Sequence, residues 1–598
     1  MHPLLSIQNL DIAFRSETGT NAAVQNLSLE VNRGELLAVV GESGSGKSVT
    51  SLSILQLLPK ANTIYANGKV LFAADGTKVN DLLLSPDKDL QTLRGNRIAM
   101  IFQEPMSSLN PVMTCGHQVM EAILQHQNIP ATNAKKQTIE LFEKVKLPLP
   151  EAMFSRFPHQ LSGGQKQRVM IAMAMSSKPD LLICDEPTTA LDVTVQNTIL
   201  QLIKQLQVEE NIGVIFITHD LSVVGQIADR IVVLYKGNIV ETGVTADIFI
   251  RPNHPYTKAL LACRPALHPK GQRLPVVSDF MEVAANGGIV EKVVANGEWQ
   301  VAHNIADRNQ ISNHTSADIN RHPDTSFNRE TIHQNPILAV KSLNVWYPTI
   351  TNILGKTTAH FKAVNDVSFE VFQGETLGLV GESGCGKTTL GRAILQLIPA
   401  TSGEIIYNGK NITGLTKNEV LQLRKEMQII FQDPYGSLNP RITVGQAIAE
   451  PLQVHGIVAT EKLRREKVVE WLEKVNLKAE HYNRYPHEFS GGQRQRIVIA
   501  RALVMNPKFV VCDESVSALD VSVQAQVLNL LNDLKKEMGF TAIFISHDLG
   551  VVNYISDRIM VMQKGRIEEI GLAEEVYRRP QSSYTRQLIE AIPKGYVG

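Results

Sequence analysis

The chain has little that would tie it to a membrane, a nucleic acid or an oxidising compartment. No run approaches the roughly 18 apolar residues needed to cross a bilayer. The opening MHPLLSIQNLDIAF lacks the basic start and apolar stretch of a signal peptide, so a cytoplasmic location is expected. Lys plus Arg number 59 and Asp plus Glu number 59, so no positive excess points to a nucleic-acid duplex or an anionic bilayer. A neutral surface favours protein partners. The five cysteines stand singly at positions 115, 184, 263, 385 and 512 with no CxxC pair, which excludes a zinc ribbon and fits a reducing compartment.

What the chain does have, it has twice. GESGSGKS (Gly41–Ser48), FQEP (Phe102–Pro105), LSGGQ (Leu161–Gln165), CDEP (Cys184–Pro187) and THD (Thr218–Asp220) return in the same order as GESGCGKT, FQDP, FSGGQ, CDES and SHD. The spacing barely drifts: Gln432 minus Gln103 is 329, and Ser490 minus Ser162, Asp513 minus Asp185 and His547 minus His219 are each 328. With 598 residues, too many for one core, this indicates two copies of one domain. The expected boundaries are 1–267 for the first copy, 268–335 for a polar linker and 336–598 for the second. The linker is rich in Asn, Asp, His, Ser and Thr, and VAANGGIVEKVVANGEWQV within it has the pattern of a small hairpin. Its histidines at 303, 314, 322 and 333 share no helix face and have few carboxylates nearby, so a solvated linker is expected over a metal site.

Apolar strands (ELLAVV, ETLGLV) run into each glycine loop, and a helix follows. About 55 residues of helical periodicity separate the FQ and SGGQ motifs, after which helix, strand, helix and strand alternate. That alternation implies an α/β core with a mainly parallel sheet, joined by a helical subdomain.

In GxxxxGK[ST] the glycines let consecutive backbone N–H groups turn toward one anion at a helix N-terminus. The candidate phosphate-binding residues are Gly41, Ser43, Gly44, Gly46, Lys47 and Ser48, and Gly381, Ser383, Gly384, Gly386, Lys387 and Thr388. The lysines are expected to reach the β and γ phosphates of ATP, and Ser48 and Thr388 to ligate Mg2+. LLICDE and FVVCDE end apolar strands in paired acids. Asp185 and Asp513 are expected to hold Mg2+ through water, and Glu186 and Glu514 to polarise the attacking water.

LSGGQ and FSGGQ resemble the signature loop of ATP-binding cassette proteins. The resemblance implies two tandem cassettes of the P-loop NTPase class, each with a β subdomain, docked head to tail. Gly41–Ser48 would then face Ser490, Gly491, Gly492 and Gln493, while Gly381–Thr388 would face Ser162, Gly163, Gly164 and Gln165. His219 and His547 match the family's switch histidine. Gln103 and Gln432 match its glutamine loop, which touches Mg2+ and senses the membrane partner. Phe14 and Tyr347 fall where the family stacks a ring on adenine, a place that strand-end core residues also fill. Ala190-Leu191-Asp192 and Ala518-Leu519-Asp520 match the loop that communicates across the dimer. The second copy departs at Ser515 and Val516, where the first has Pro187 and Thr188; altered loop rigidity rather than a dead site is expected. Cys385 lies near a helix N-terminus that should lower a thiol's pKa, although Ser45 in the first copy suggests a small filler instead.

FQEPMSSLNP, FQDPYGSLNP and the RPNHPYTKALL after the first cassette resemble the ATPases of oligopeptide, dipeptide and nickel importers. Two fused cassettes most resemble the ATP-binding subunits of glutathione and dipeptide importers within that family. The second copy reads RPQSSYTRQL, with Ser582 and Ser583 replacing His-Pro. The resemblance implies two integral-membrane permease subunits, a periplasmic binding protein that delivers cargo without touching this chain, and a peripheral position on the cytoplasmic face of the inner membrane. One chain per complex is expected, and no nucleic acid. Some relatives carry an iron–sulfur cluster on clustered cysteines after a cassette; with Cys263 alone there, none is expected. The alternative is a soluble tandem cassette working on ribosomes or DNA, for which the zinc-binding cysteine pairs and charged helical linker are missing. An exporter is disfavoured because its membrane spans usually share the chain.

Overall fold

The computed structural model describes residues 2–16, 19–103, 108–189, 191–283, 289–292, 335–351, 357–593 and 595–596. Glu104, Pro105, Ala190 and the four linker histidines lie outside the described residues. Each half is built on a six-stranded sheet. In the first half the strands run in the order Asn238–Val244, Arg230–Tyr235, Leu36–Val40, Gly213–Thr218, Leu181–Asp185 and Ile98–Ile101. All neighbouring pairs are parallel except the first. The second half repeats the order with Arg566–Leu572, Arg558–Gln563, Thr376–Val380, Thr541–Ile545, Phe509–Asp513 and Met427–Ile430. Leu36–Val40 and Leu181–Asp185 are buried at every position, as strands covered on both faces must be. That explains why both read as unbroken apolar runs.

An antiparallel four-stranded sheet lies beside each core, formed by Gly19–Val31, Leu5–Ser16, Thr63–Phe72 and Asn80–Asp81 in the first half. Helices Cys115–His126, Ala131–Lys144 and Gly163–Ala174 make the helical subdomain, matched by Val444–Val454, Glu461–Lys474 and Gly491–Leu503. Among the described residues no helix is long and apolar enough to cross a membrane.

Residues 268–276, which the sequence places at the head of a polar linker, pack onto the second cassette. Leu274 is fully buried within that cassette's core cluster, together with Val276 and Cys263. The Asn529 side chain accepts from Leu274 N–H at 2.9 Å and donates to Leu274 C=O at 2.8 Å. Tyr554 Oη donates to Gln272 C=O at 2.7 Å. The reverse contact comes from the chain's last residues: Arg264 donates to Pro593 C=O at 2.8 Å, and Tyr596 stacks on Phe249 at 6.3 Å. Each cassette therefore carries a piece of the other's surface. A short hairpin, Met281–Val283 with Ile289–Glu291, follows.

Asp557 anchors this seam. Lys270 from the first cassette's extension pairs with it, Lys535 lies 3.5 Å away, and Thr376 N–H donates to it at 2.7 Å. Burial would raise the Asp557 carboxyl, but Lys270 and Lys535 outweigh burial and hold it below the usual carboxylate range. Asp557→Asn is expected to lower stability by about 2 kcal/mol, read from urea denaturation midpoints, because it leaves half-buried ammonium groups unpaired. The carboxyl pKa is depressed in the folded state, so this stabilisation is full above about pH 4. It should fade as pH falls below that value, and the variant should show a flatter acid limb.

Candidate functional site

The site grows from the edge where parallel strands end. Leu36–Val40 delivers the chain into Gly41–Ser48, and helix Lys47–Ile54 starts from Gly46 at φ 101°. That left-handed turn suits glycine, and a Cβ there would come within 2.8 Å of Ala23 O. Lys47 Nζ is folded back on its own loop, donating to Gly41 C=O at 2.7 Å and Glu42 C=O at 2.9 Å. Lys387 repeats both contacts at 2.7 and 2.9 Å. Burial pulls the Lys47 ammonium below its usual pKa, opposed by Glu186, Asp520, Asp185 and Glu42.

Leu181–Asp185 and Gly213–Thr218 end beside this loop and bring the acids and the histidine. Ser48 Oγ donates to Asp185 Oδ1 at 3.0 Å, and Thr388 Oγ1 to Asp513 at 2.9 Å. Burial pushes the Asp185 carboxyl up to about 6 despite the Ser48 hydrogen bond, and raises Asp513 as well. A buried carboxylate beside a hydroxyl, with the amide of Gln103 or Gln432 near the neighbouring acid, is a hard oxygen donor set that a cation such as Mg2+ would fit.

Glu186 and Glu514 both stand at φ 46°, a conformation that bulky residues rarely adopt. It turns each carboxylate off the strand direction while its N–H still bonds Ile217 or Ile545 C=O at 3.0 Å. Glu186 Oε2 accepts from Gln103 Nε2 at 3.1 Å and Thr189 Oγ1 at 2.9 Å, and lies 3.3 Å from His219 Nδ1. Burial would raise Glu186, but His219, Lys47 and Thr189 outweigh it and hold the carboxyl low. His219 is raised in turn, with Glu186 and Asp520 overcoming burial. In the second copy Gln432 Nε2 donates to Glu514 at 2.8 Å and His547 lies 3.5 Å away. Ser517 Oγ donates to the Glu514 backbone carbonyl at 2.9 Å. The Pro-Thr to Ser-Val departure changes support rather than the acid: Thr188 Oγ1 accepts from Gln196 at 3.4 Å, while Gln524 uses Val516 C=O at 3.4 Å.

The halves meet through these loops. Ser43 N–H donates to Asp520 Oδ2 at 3.0 Å, Ser522 Oγ bonds Glu42, and His219 lies 3.9 Å from Asp520. On the other side Thr194 Oγ1 bonds Glu382 at 3.1 Å. The two contacts are not equivalent. Asp192 spends its carboxylate capping its own helix, accepting from Val195 N–H at 2.9 Å, whereas Asp520 leaves its helix uncapped and reaches across to Ser43.

The serines of the two SGGQ stretches cap helices Gly163–Ala174 and Gly491–Leu503. Ser162 Oγ accepts from Gln165 N–H at 3.3 Å and Gln165 Oε1 accepts from Ser162 N–H at 3.1 Å, a reciprocal box that Ser490 and Gln493 repeat. A Cβ on Gly164 would lie 2.5 Å from Val195, and one on Gly492 2.2 Å from Val523. These glycines thus seat each capped helix against the helix whose first turn reaches the opposite phosphate loop. Gly163 and Gly491 are less confined, with Leu191 at 3.4 Å from the first and nothing within 4 Å of the second. Among the described residues no hydrogen bond runs from Ser162–Gln165 or Ser490–Gln493 directly to the opposite loop.

The two candidate adenine-stacking residues part company. Phe14 packs partly into the core of its half, while Tyr347 is 43% exposed. Cys385 is buried 3.9 Å from Lys387 Nζ, and burial raises its thiol rather than lowering it, because loss of solvation outweighs the nearby ammonium. A buried thiol with a raised pKa fits the small filler that Ser45 at the equivalent place suggests rather than an activated group. Sequence reasoning missed Tyr256 and Tyr584, whose hydroxyls accept from Glu42 and Glu382 N–H at 3.0 and 3.1 Å. The only sequence signal was a YT pair at equivalent places in both extensions.

Residues 24–189 and 364–517 match the ABC transporter family model, and residues 240–282 match the oligopeptide/dipeptide transporter C-terminal region. The glutathione import ATP-binding protein of Escherichia coli (strain K12) is 47% identical over 595 residues, covering 99% of this chain and 89% of that protein. Its namesake in Salmonella typhimurium (strain LT2) is 47% identical over 596 residues, with the same coverage. A dimeric ATP-binding cassette solved in a post-hydrolysis state with ADP and phosphate is 27% identical, covers 40% of this chain and 98% of that one, and has a TM-score of 0.36.

Proposed function

Because the chain belongs to the ABC transporter ATPases, we propose that it energises the import of small peptides, with glutathione the leading cargo, by hydrolysing ATP at two sites between its cassettes. The cargo reading is supported by 47% identity to glutathione import ATP-binding proteins along 99% of the chain. The observation that carries the two-site reading is the pair of crossed contacts, Asp520 and Ser522 on Gly41–Ser48 and Thr194 on Gly381–Thr388.

In this reading Lys47 and Lys387 keep their contact to the Gly41 and Gly381 carbonyls and turn their remaining N–H donors to the β and γ phosphates. Backbone N–H groups of each loop surround the phosphates, and Ser162–Gln165 or Ser490–Gln493 closes the far wall. Phe14 and Tyr347 face the adenine. Ser48, Gln103 and Asp185, and Thr388, Gln432 and Asp513, would hold Mg2+, which neutralises phosphate charge when bound. Glu186 and Glu514 polarise the attacking water while His219 and His547 contact the γ-phosphate.

The chain sits peripherally on the cytoplasmic face of the inner membrane, its partners are two integral-membrane permeases, and a periplasmic binding protein acts beyond them without touching it. A groove beside Gln432, lined by Leu397, Arg424, Phe431, Val454, His455 and Arg501, is a docking place for a permease segment. Its position on the glutamine loop couples docking to the site. Co-purification with two polytopic membrane proteins, and ATPase activity in liposomes stimulated by glutathione with the binding protein, are the expected results. Tight, salt-sensitive association with ribosomes instead would overturn the reading.

A further inference from the structure

Each phosphate loop is touched by a tyrosine from the C-terminal extension of its own cassette. Tyr256, fully buried in helix Pro255–Ala262, accepts a hydrogen bond from Glu42 N–H at 3.0 Å. Tyr584, in helix Ser583–Glu590, accepts from Glu382 N–H at 3.1 Å. These N–H groups belong to the peptide planes whose carbonyls, Gly41 and Gly381, accept from Lys47 and Lys387 at 2.7 Å. A planar amide cannot turn without losing both bonds. The tyrosine hydroxyl and the lysine ammonium therefore fix one plane from opposite ends.

The support around the tyrosine differs between copies while this bond does not. In the first, Glu241 accepts from Asn253 and His254 N–H at 2.7 and 3.1 Å, and His254 Nδ1 caps the helix by accepting from Tyr256 N–H at 3.1 Å. In the second, Glu569 accepts from Gln581 and Ser582 N–H at 2.9 and 3.1 Å, and Ser582 Oγ accepts from Tyr584 N–H at 3.2 Å. Replacing His-Pro by Ser-Ser thus keeps the cap, the tyrosine and its reach. Core filling alone would need no hydroxyl, since a phenyl ring occupies nearly the same volume.

We propose that Tyr256 and Tyr584 are positioning residues for ATP: each holds the Gly–Glu peptide plane that aims the loop lysine at the phosphates. The proposal rests on Gly41–Ser48 and Gly381–Thr388 being the phosphate loops. Without the hydroxyl, the Glu42 or Glu382 N–H is left without its partner and the plane is free to turn, so the lysine loses its fixed anchor before nucleotide arrives. The cost falls on binding rather than on the chemical step.

The test uses Tyr256→Phe and Tyr584→Phe in the full chain. The KM for ATP is expected to rise about fivefold while kcat stays within about twofold, the split that separates lost binding from lost chemistry. Photolabelling with 8-azido-ATP, mapped by peptide mass spectrometry, should weaken only in the first cassette for Tyr256→Phe and only in the second for Tyr584→Phe. An unchanged KM, or equal loss of label in both cassettes from either variant, would overturn the proposal. A lowered melting temperature with unaltered KM would also overturn it, leaving a packing role only. Tyr584, which is 6% exposed, carries the same test should Tyr256→Phe melt below assay temperature. Wild-type chain that takes no label at either loop would sink the phosphate-loop reading itself, independently of the tyrosines.

Discussion

Glu186→Gln combined with Glu514→Gln is expected to lower ATP turnover by about 100-fold or more while ATP remains bound. Glutamine keeps the volume and the strained φ of 46°, so the loop should hold its shape. What it loses is a carboxylate that burial alone would neutralise and that His219, Lys47 and Thr189 keep ionised. Each single variant should lose a substantial part of the activity. The losses need not be equal: Thr189 Oγ1 donates to the Glu186 carboxylate at 2.9 Å, whereas the best hydrogen bond of Ser517 Oγ goes to the Glu514 backbone carbonyl. Steady-state phosphate release and trapped-nucleotide measurements read both quantities. Undiminished activity in Glu514→Gln alone would remove the second working site.

Gly386→Ala should be among the most damaging single-carbon changes in the second cassette. Gly386 has φ 109°, and an added Cβ would meet Ala363 O at 2.1 Å. Ala363 is held in the strand Thr357–Val371, so the clash is with backbone that cannot swing aside. The combined strain and overlap should cost about 3 kcal/mol or more, lowering the denaturation midpoint and abolishing nucleotide labelling of that cassette. Gly384→Ala offers a calibrated contrast: its φ is 80° but nothing lies within 4 Å of the new carbon, so only the left-handed penalty of about 1 kcal/mol applies. Equal effects from the two substitutions would contradict the packing described around Gly386.

The repeat, the parallel cores and the clustering of Lys47, Asp185, Glu186, Gln103 and His219 were legible because each is written locally. An apolar run ending in Asp-Glu or a glycine loop before a helix carries its own geometry. What stayed hidden depends on single bonds between distant residues. Asp192 and Asp520 occupy equivalent motif positions, yet one caps its own helix and the other crosses to Ser43; no pattern in either stretch distinguishes them. The docking of residues 268–276 was obscured because Leu274 and Val276 sit among Lys, Gly, Gln and Arg, which give a polar average. At Cys385 the helix N-terminus is visible in sequence and the burial that raises the thiol is not, so only the comparison with Ser45 pointed to a small filler.

The exchange of surface around Leu274, Asn529, Arg264 and Pro593 changes what opening means for this molecule. Halves joined along such a seam do not separate and then find each other again by diffusion. Any separation of the halves has to break the paired Asn529–Leu274 bonds and the Arg264–Pro593 bond, so the seam itself opposes their parting.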